Sequence, residues 1–212
     1  ISGWQLPSEI DYDLLAQNVS GVIVRVHSGA QAKKENAATY LNGIDESYET
    51  HIKEFQKRNI PVAVYAYVAA KDKKEMEKEA EEFYQASKKY KPTYYWLDVE
   101  EKTMNDMNAG VEAFRAKLES LGAKNIGIYI GTYFMEEHSI STDKFTALWI
   151  PTYGHDDGYY NAAPSTDDEY DLHQYTSQGQ LNGFTHYLDL NQIAPTQNRE
   201  KIYRKLFTVE KN

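Results

Sequence analysis

The segment Thr93 to Glu100 (TYYWLDVE) ends with two carboxylates separated by one residue. Its aromatic and aliphatic residues predict a strand, in which residues two apart lie about 6.6 Å from each other on the same face. Asp98 and Glu100 therefore share a face. If such a pair is buried together with a further acid, here Asp189, at least one carboxyl has a raised pKa and keeps a proton near neutral pH. The chemistry that this arrangement predicts is general acid catalysis.

The same alternation places polar and aromatic side chains from other predicted strands on the face of this acidic pair, while the opposite face is rich in Val, Ile and Leu. The side chains on the acidic face are Arg25, His27, Tyr65, Tyr67, Trp96, Tyr129, Trp149, Gln174, Asp189 and Asn191. They come late in their strands, and in a β/α barrel the inward residues at the carboxyl ends of the strands form the active site. The pattern predicts one site that combines acids, aromatic rings and amides.

Other catalytic chemistries lack their residues in this chain. It has no cysteine, no Gly-x-Ser-x-Gly elbow, no glycine-rich phosphate loop and no His-Glu-x-x-His motif. A metal-dependent hydrolase that binds its ion through His27, Asp98, Glu100 and Asp189 is an alternative use of the same acids. We expect neither a metal nor a cofactor.

Strand-like and helix-like segments alternate through the first two thirds of the sequence. Strands are predicted at residues 19–27, 60–69, 93–100 and 125–131, and helices at 47–58, at 72–89 and in a segment closed by Gly122. Later strands are predicted at 147–151, 171–176 and 186–191, with a hairpin around residues 177–180 and a long loop over 153–169. The predicted fold class is therefore α/β: an irregular (β/α) barrel, TIM-barrel-like, of about eight strands, with helices missing in the C-terminal third.

Length, charge and composition set further limits. A chain of 212 residues suits a single barrel domain, which we place at residues 1–195, followed by a C-terminal helix or connector at 196–212. The net charge of −9, without a Lys/Arg cluster, argues against nucleic acid as a partner. No apolar run approaches the roughly 18 residues of a membrane-spanning helix, so we expect no membrane partner. The 18 tyrosines suit polar ligands with flat faces, such as sugars.

A series of short motifs runs through most of the chain. They are Ile1-Ser2-Gly3-Trp4-Gln5, Val22-Ile23-Val24-Arg25, Val64-Tyr65-Ala66-Tyr67, Leu97-Asp98-Val99-Glu100, Ile128-Tyr129, Leu148-Trp149-Ile150-x-x-Tyr153, Gln174-Tyr175-Thr176-Ser177 and Leu188-Asp189-Leu190-Asn191. In this order and spacing, from Ile1 to about Pro195, the chain resembles glycoside hydrolase family 25, the N-acetylmuramidase lysozymes of bacteria and their phages. The family's irregular barrel, short of helices towards its C-terminal end, agrees with the architecture predicted above.

The resemblance implies a peptidoglycan hydrolase that cleaves the β-1,4 bond between N-acetylmuramic acid and N-acetylglucosamine in bacterial cell walls. It implies Glu100 as the general acid, with Asp98 and Asp189 as acidic partners in the same pocket. The side chains expected to bind the sugar chain are Arg25, Tyr65, Tyr67, Tyr129, Trp149, Tyr153, Gln174 and Asn191. The expected partner is the glycan strand of peptidoglycan. The expected state is a monomer that acts outside the cell or at the cell wall, after secretion or phage delivery.

Three departures from the family pattern leave alternatives open. The family's opening motif has an Asp immediately before the position of Ile1, His173 stands where Trp commonly precedes Gln-Tyr, and Pro151 replaces a small residue. A cell-wall glycan-binding protein with a decayed site is therefore a second function to consider. For the enzyme, a retaining carboxyl pair is about 5–5.5 Å apart and an inverting pair about 6.5–9.5 Å, and a third route uses the substrate's own 2-acetamido group. We favour the third route, with Asp98 holding the amide N–H.

Overall fold

The computed structural model describes residues 1–30 and 37–209. Its elements in chain order are α1 (Tyr12–Ala16), β1 (Val22–His27), α2 (Tyr48–Lys57), β2 (Val62–Tyr67), α3 (Lys73–Ser87), β3 (Tyr95–Val99), α4 (Met107–Leu121), β4 (Ile126–Ile130), α5 (Thr132–Glu137), β5 (Ala147–Pro151), β6 (Leu172–Leu181), β7 (Phe184–Ile193) and α6 (Arg199–Phe207). Short 3₁₀ turns precede α1 (Pro7–Glu9) and follow α3 (Lys88–Tyr90). None of the helices described is long and apolar enough to cross a lipid bilayer.

The strands form one curled sheet in the order β1-β2-β3-β4-β5-β6-β7. Strands β1 to β6 are parallel to their neighbours, and β7 runs antiparallel to β6. A helix follows each of β1 to β4, whereas the described chain passes from β5 to β6 and β7 without one. The predicted α/β fold, an irregular barrel short of helices in its C-terminal third, is confirmed. The described residues form seven strands rather than about eight. Since β1 and β7 of the described chain are not paired with each other, the curled sheet is an open half-barrel.

The hairpin of β6 and β7 is longer than predicted, and its turn lies elsewhere. The turn is Asn182-Gly183, with Gly183 at a φ of +108°, rather than residues 177–180. An Asn-Gly pair suits the two-residue turns that join antiparallel strands, because both residues tolerate positive φ. Residues 177–180 lie within β6, where the pairing with β7 shifts register repeatedly. Their turn-like composition therefore marks a bulged strand.

Local signals explain where the long helices begin and end. Asp72, Asp106 and Asn198 each accept a hydrogen bond from the backbone N–H three residues further on, and so cap the N-termini of α3, α4 and α6. Gly122 ends α4 in the left-handed conformation, at a φ of +113°, as its lack of a Cβ allows. The helices predicted from apolar periodicity at 47–58 and 72–89 are confirmed as α2 and α3.

Two apolar layers lie on opposite faces of the sheet. The outer layer packs fully buried aliphatic residues, such as Val64 and Leu97, against α2, α3 and α4. The inner layer surrounds Trp96 and includes Ile202 and Leu206 of α6. Because these apolar contacts occupy the part of the inner face near the amino ends of the strands, the polar side chains of that face collect near the carboxyl ends.

The prediction that His27 shares the face of the acids is wrong. The pairing of β1 with β2 shifts register just before His27, which therefore pairs with Ala66 of the outer face. Its ring turns towards α3, where Nε2 lies 2.8 Å from Glu82 Oε2. Nδ1 accepts the N–H of Gly29 (2.8 Å), so Nε2 carries the proton and donates it to the Glu82 carboxylate. Side-chain alternation fails as a guide wherever a bulge adds a residue to one strand.

The N-terminal segment links the two edges of the open sheet. The nitrogen of Ile1 donates to the carbonyl of Ile23 (3.0 Å), and the carbonyl of Ile1 accepts from the N–H of Arg25 (2.9 Å), so the chain starts alongside β1. Further on, the N–H of Asp11 donates to the carbonyl of Gly183 in the β6–β7 turn (2.8 Å). Residues 1–16 thereby bridge β1 and the hairpin, where a closed barrel would have another strand.

Candidate active site

The register of the parallel strands aligns the predicted site residues in a row across the sheet. Tyr67 pairs with Asp98, Asp98 with Tyr129, and Tyr129 with Trp149. A cavity of about 1200 Å³ follows the inner face of the sheet. All the predicted site residues except Arg25 and Tyr67 line it. They are Asp98, Glu100, Asp189, Tyr65, Tyr129, Trp149, Tyr153, Gln174 and Asn191.

Asp98 is the buried member of the acidic pair, with 8% of its surface exposed. Burial raises its pKa well above the usual value, and the charge of Glu100 and a hydrogen bond shared with Glu100 raise it further. The charge of Asp189 acts in the same direction, and Arg25 opposes it. Oδ1 of Asp98 is buried and has no hydrogen-bonding partner among the described residues. The neutral form of the Asp98 carboxyl is therefore favoured over its charged form.

Glu100 and Asp189 are the acids of the site that solvent reaches. Glu100 comes directly after β3, and its side chain is exposed. Asp189 on β7 is also accessible to solvent, but the protein around it raises the pKa of its carboxyl, and the charge of Glu100 adds to this effect. A ligand that enters the cavity can therefore contact Glu100 and Asp189 directly, with Asp98 behind them.

Two amide side chains have their oxygens fixed by hydrogen bonds from aromatic residues. Gln174 Oε1 accepts from the hydroxyls of Tyr129 (2.9 Å) and Tyr153 (2.5 Å). Asn191 Oδ1 accepts from the indole N–H of Trp149 (2.8 Å). Burial raises the pKa of both tyrosines, so their hydroxyls stay protonated and act as donors. With the oxygens occupied, the NH₂ groups of both amides can donate to a ligand, such as the acetamido and hydroxyl oxygens of a sugar.

The aromatic side chains form the floor of the site. The ring of Trp149 packs edge-to-face on Tyr129, with centroids 4.6 Å apart, and on Trp96, with centroids 5.4 Å apart. Tyr129 and Trp149 are each only 5% exposed, so they offer ring edges to a ligand rather than an open stacking surface. Tyr65 is half-buried against the same cluster. The floor is therefore a packed apolar surface beneath the acids and amides.

Arg25 holds the framework behind the site and does not line the cavity. Its Nε lies 2.8 Å from Oδ2 of Asp45, and another of its guanidinium nitrogens donates to the carbonyl of Ala37 (2.8 Å). Asp45 is completely buried and also accepts the N–H groups of Gly3 and Ser47, both at 2.8 Å. The ion pair thus joins β1 to the N-terminal segment and to the loop that leads into α2.

The sequence reasoning missed several acids that shape the site. Asp45 has a local signal, because an Asp two residues before Ser47 at the start of a helix favours a side-chain-stabilised turn. Glu101 accepts a hydrogen bond from the hydroxyl of Tyr67 (3.2 Å), which places Tyr67 beside the acidic pair but outside the cavity lining. Asp156, in the loop between β5 and β6, binds β6 through its carboxylate. For Glu101 and Asp156, no sequence pattern indicates which residue the carboxylate binds.

The metal-ligand set considered as an alternative is not assembled. His27, one of its four members, faces α3 on the other side of the sheet. Within residues 1–30 and 37–209, no group of three or more His, Cys, Asp or Glu side chains is arranged to hold a metal ion.

A half-barrel whose strand ends carry carboxyls, amides and aromatic rings has the kind of site that barrel-type carbohydrate hydrolases use. The family model of glycosyl hydrolases family 25 matches residues 1–184, and the chain belongs to this family. The resemblance seen in the sequence motifs is confirmed. The chain is a glycoside hydrolase, and its family and its endolysin relative support a peptidoglycan hydrolase.

Solved structures show what the chain is similar to. GHIP, a glycosyl hydrolase 25 of Streptococcus pneumoniae described as a virulence factor participating in host cell invasion, is 64% identical over 98% of this chain and 90% of its own, with a TM-score of 0.95. The catalytic domain of the endolysin ply40 from bacteriophage P40 of Listeria monocytogenes is 27% identical over 97% of this chain and 94% of its own, with a TM-score of 0.82. The autolysin LytC of Streptococcus pneumoniae, in complex with a synthetic peptidoglycan ligand, shares the fold at 20% identity over 90% of this chain and 44% of its own, with a TM-score of 0.70. Among curated proteins, no sequence matches significantly.

Proposed function

We propose that the chain hydrolyses the β-1,4 bond between N-acetylmuramic acid and N-acetylglucosamine, with Glu100 as the general acid and Asp98 as its partner. The observation that carries the proposal is a buried carboxyl with a raised pKa, that of Asp98, next to the solvent-accessible carboxyl of Glu100 two residues further on. Membership of the family and the likeness to endolysins support the choice of peptidoglycan as substrate.

The proton that Asp98 keeps is the one that the leaving sugar needs. Asp98 is too deeply buried to contact a glycosidic oxygen, whereas Glu100 is exposed. A glycan strand in the cavity displaces water from around Glu100. The proton then passes from Asp98 to Glu100. Glu100 donates it to the leaving oxygen as the bond between C1 and that oxygen breaks.

The closeness of the two carboxyls supports a substrate-assisted course. Acid and nucleophile in retaining glycosidases are about 5–5.5 Å apart on opposite sides of the scissile bond, and the two carboxyls of inverting enzymes are farther apart. Asp98 and Glu100 come from the same face of one strand end, two residues apart, so the pair cannot stand on both sides of a sugar. The carbonyl oxygen of the 2-acetamido group therefore forms the new bond to C1.

The second half of the reaction returns the site to its starting state. Water attacks C1, the bond from the acetamido oxygen to C1 breaks, and Glu100 takes the proton from the water. During both halves Asp98 is ionised, and its negative charge stabilises the positive charge that develops near C1. The proton passes back from Glu100 to Asp98 when the product leaves.

The remaining groups of the cavity bind the glycan strand in this proposal. Gln174 and Asn191 donate their NH₂ groups to sugar oxygens, and Asp189 accepts from sugar hydroxyl or amide groups. The floor and rim of the binding site are Tyr65, Tyr129, Trp149 and Tyr153, while Arg25 and Tyr67 support it from behind the lining. A monomeric state and a location outside the cell or at the cell wall remain predictions.

Identification of the cleaved bond tests this proposal. Purified Gram-positive cell walls are digested with the protein, and the new reducing ends are reduced with borohydride. Muramitol is expected, since it shows that N-acetylmuramic acid carried the new reducing end. Glucosaminitol contradicts the proposed bond specificity. Walls that bind the protein without losing turbidity point to the glycan-binding alternative.

A further inference from the structure

The long loop between β5 and β6 is attached to β6 by one carboxylate. Asp156 accepts hydrogen bonds from the hydroxyl of Thr176 (2.8 Å), the backbone N–H of Ser177 (2.7 Å) and the hydroxyl of Ser177 (2.6 Å). The Thr176 hydroxyl in turn accepts the N–H of Gly158 in the same loop (3.1 Å). These hydrogen bonds, that of the Ser177 hydroxyl first, lower the pKa of Asp156, so it is ionised near neutral pH.

The attachment falls where the sheet itself is irregular. The pairing of β6 with β7 shifts register between Gln174 and Thr176 and again between Thr176 and Gly179. Ser177, in the middle of this stretch, gives its backbone N–H to Asp156 rather than to the neighbouring strand. In a bulged strand the ladder does not fix the backbone by itself. Asp156 therefore supplies a restraint that the sheet lacks at this point.

The turn formed by residues 153–156 of this loop reaches the cavity through Tyr153. The N–H of Asp156 donates to the carbonyl of Tyr153 (3.1 Å), and the hydroxyl of Tyr153 donates to Oε1 of Gln174 (2.5 Å). The turn from Tyr153 to Asp156 is thus bound to β6 at both ends, at Gln174 and at Thr176-Ser177. Asp156 itself has a φ of +50°, a conformation that Asp and Asn tolerate better than most residues.

We propose that Asp156 is a positioning residue for glycan hydrolysis, which fixes the Tyr153 hydroxyl on Gln174 and thereby aims the Gln174 NH₂ into the cavity. This inference rests on the proposed role of Gln174 in binding the sugar chain. Asp156 does not line the cavity, so its effect on substrate passes through Tyr153 and Gln174.

Three single variants separate the positioning role of Asp156 from an effect of its charge and from a general loss of stability. Asp156→Gly removes the carboxylate while accepting the positive φ. Asp156→Asn keeps the contacts, because the amide oxygen accepts from Thr176 and Ser177 and the NH₂ donates to the Ser177 hydroxyl. Asp157→Gly is the matched control, since Asp157 binds only Tyr159 and Asn161 of its own loop among the described contacts.

Steady-state kinetics on purified cell walls, with Tm measured for each variant, tests the inference. Asp156→Gly is expected to raise KM about tenfold with a smaller change in kcat, because it displaces a binding group rather than a reacting one. Asp156→Asn and Asp157→Gly are expected to stay within about twofold of the parent KM. Equal KM values for Asp156→Gly and the parent, or an Asp156→Asn variant as impaired as Asp156→Gly, overturn the inference.

Combination with Tyr153→Phe shows whether Asp156 acts through Tyr153. If it does, the double variant Asp156→Gly/Tyr153→Phe has the KM of the more impaired single variant, because both substitutions break one chain of contacts. Multiplying effects, or an unchanged KM in Tyr153→Phe alone, contradict the inference. The cleaved bond of the parent is identified separately by its reducing ends, so failure of the bond assignment is distinguishable from failure of the role of Asp156.

Discussion

Asp98 and Glu100 are two residues apart at the carboxyl end of β3, and Asp98 is buried while Glu100 is open to solvent. Both side chains come from one strand and its end, two residues apart, so their chemical difference arises from their surroundings. Burial favours the neutral form of Asp98, whereas solvent can stabilise a charge on Glu100. The pair therefore stores one proton in the interior and presents it at the surface of the cavity.

Asp98→Asn is expected to lower kcat on purified cell walls by about 10²-fold or more while changing KM little, because the charge of Asp98 acts mainly as positive charge develops at C1. Steady-state kinetics measures both constants. An effect confined to KM would remove Asp98 from the chemical step.

The stability of Asp98→Asn provides the control for this prediction. Because the pKa of Asp98 is raised in the folded protein, the unfolded chain loses this proton first as the pH rises, and the stability that the group contributes is present below about pH 4 and lost above it. Asn is neutral at every pH. The variant should therefore have a Tm at pH 7 no lower than that of the parent, which separates lost activity from lost structure.

Stability is expected to fall as the pH drops from about 6.5 to about 4 because of His51. Its buried ring is hydrogen-bonded to the hydroxyl of Tyr12 (2.8 Å) and the carbonyl of Ser2 (2.9 Å), and burial lowers its pKa to about 4. In that range the unfolded chain binds a proton that the folded protein does not, at a cost on the order of 3 kcal/mol by pH 4. Urea unfolding at several pH values measures it. An equally steep pH dependence in His51→Gln would exclude His51 as the cause.

Wall lysis is expected to speed up as NaCl rises from very low to moderate concentration. The net charge of −9 opposes approach to walls that carry anionic polymers, and salt screens this repulsion beyond a Debye length of about 8–10 Å. The gain should appear at subsaturating substrate and vanish on walls stripped of anionic polymer. A steady loss of rate on intact walls would mean that a local basic patch outweighs the net charge. Candidates are the lysines of α3 and the pair Lys33-Lys34, a pair that lies outside the described residues.

Arg25→Met is expected to destabilise the fold by about 3–5 kcal/mol, because it leaves Asp45 buried without its cation. Urea unfolding measures the change. Arg58→Met is the matched control, since it removes an arginine whose partners Asp13 and Glu54 remain accessible to solvent and should change stability little. If Arg25→Met keeps its stability and loses only affinity for walls, Arg25 binds the glycan directly.

Side-chain alternation in regular strands was enough to bring most of the predicted site residues to one cavity. Asp98, Tyr129 and Trp149 lie in one row because β3, β4 and β5 pair without irregularities. The same rule failed for His27, where a bulge in β1 changes the face. The sequence motifs indicated the family, which the family match confirms, and the structure confirms the irregular barrel that the family implies.

Contacts between residues far apart in the chain could not be predicted in this way. Arg25 has the parity of a site residue, but its guanidinium is held by Asp45, twenty positions away, in a loop without periodicity. The hydrogen bonds of Asp156 depend on how a long loop folds back on a bulged strand, and the path of that loop has no sequence signal. Such partners are set by tertiary packing rather than by local pattern.

The rate of cell-wall hydrolysis by Glu100→Gln is the most direct test of the account. The amide keeps the shape of the side chain but cannot supply the proton, so we expect the initial rate on purified walls to fall by about 10²–10⁴-fold, with Tm and circular dichroism unchanged. If the variant folds as the parent does and retains more than about a tenth of its rate, Glu100 is not the general acid and the central claim is wrong.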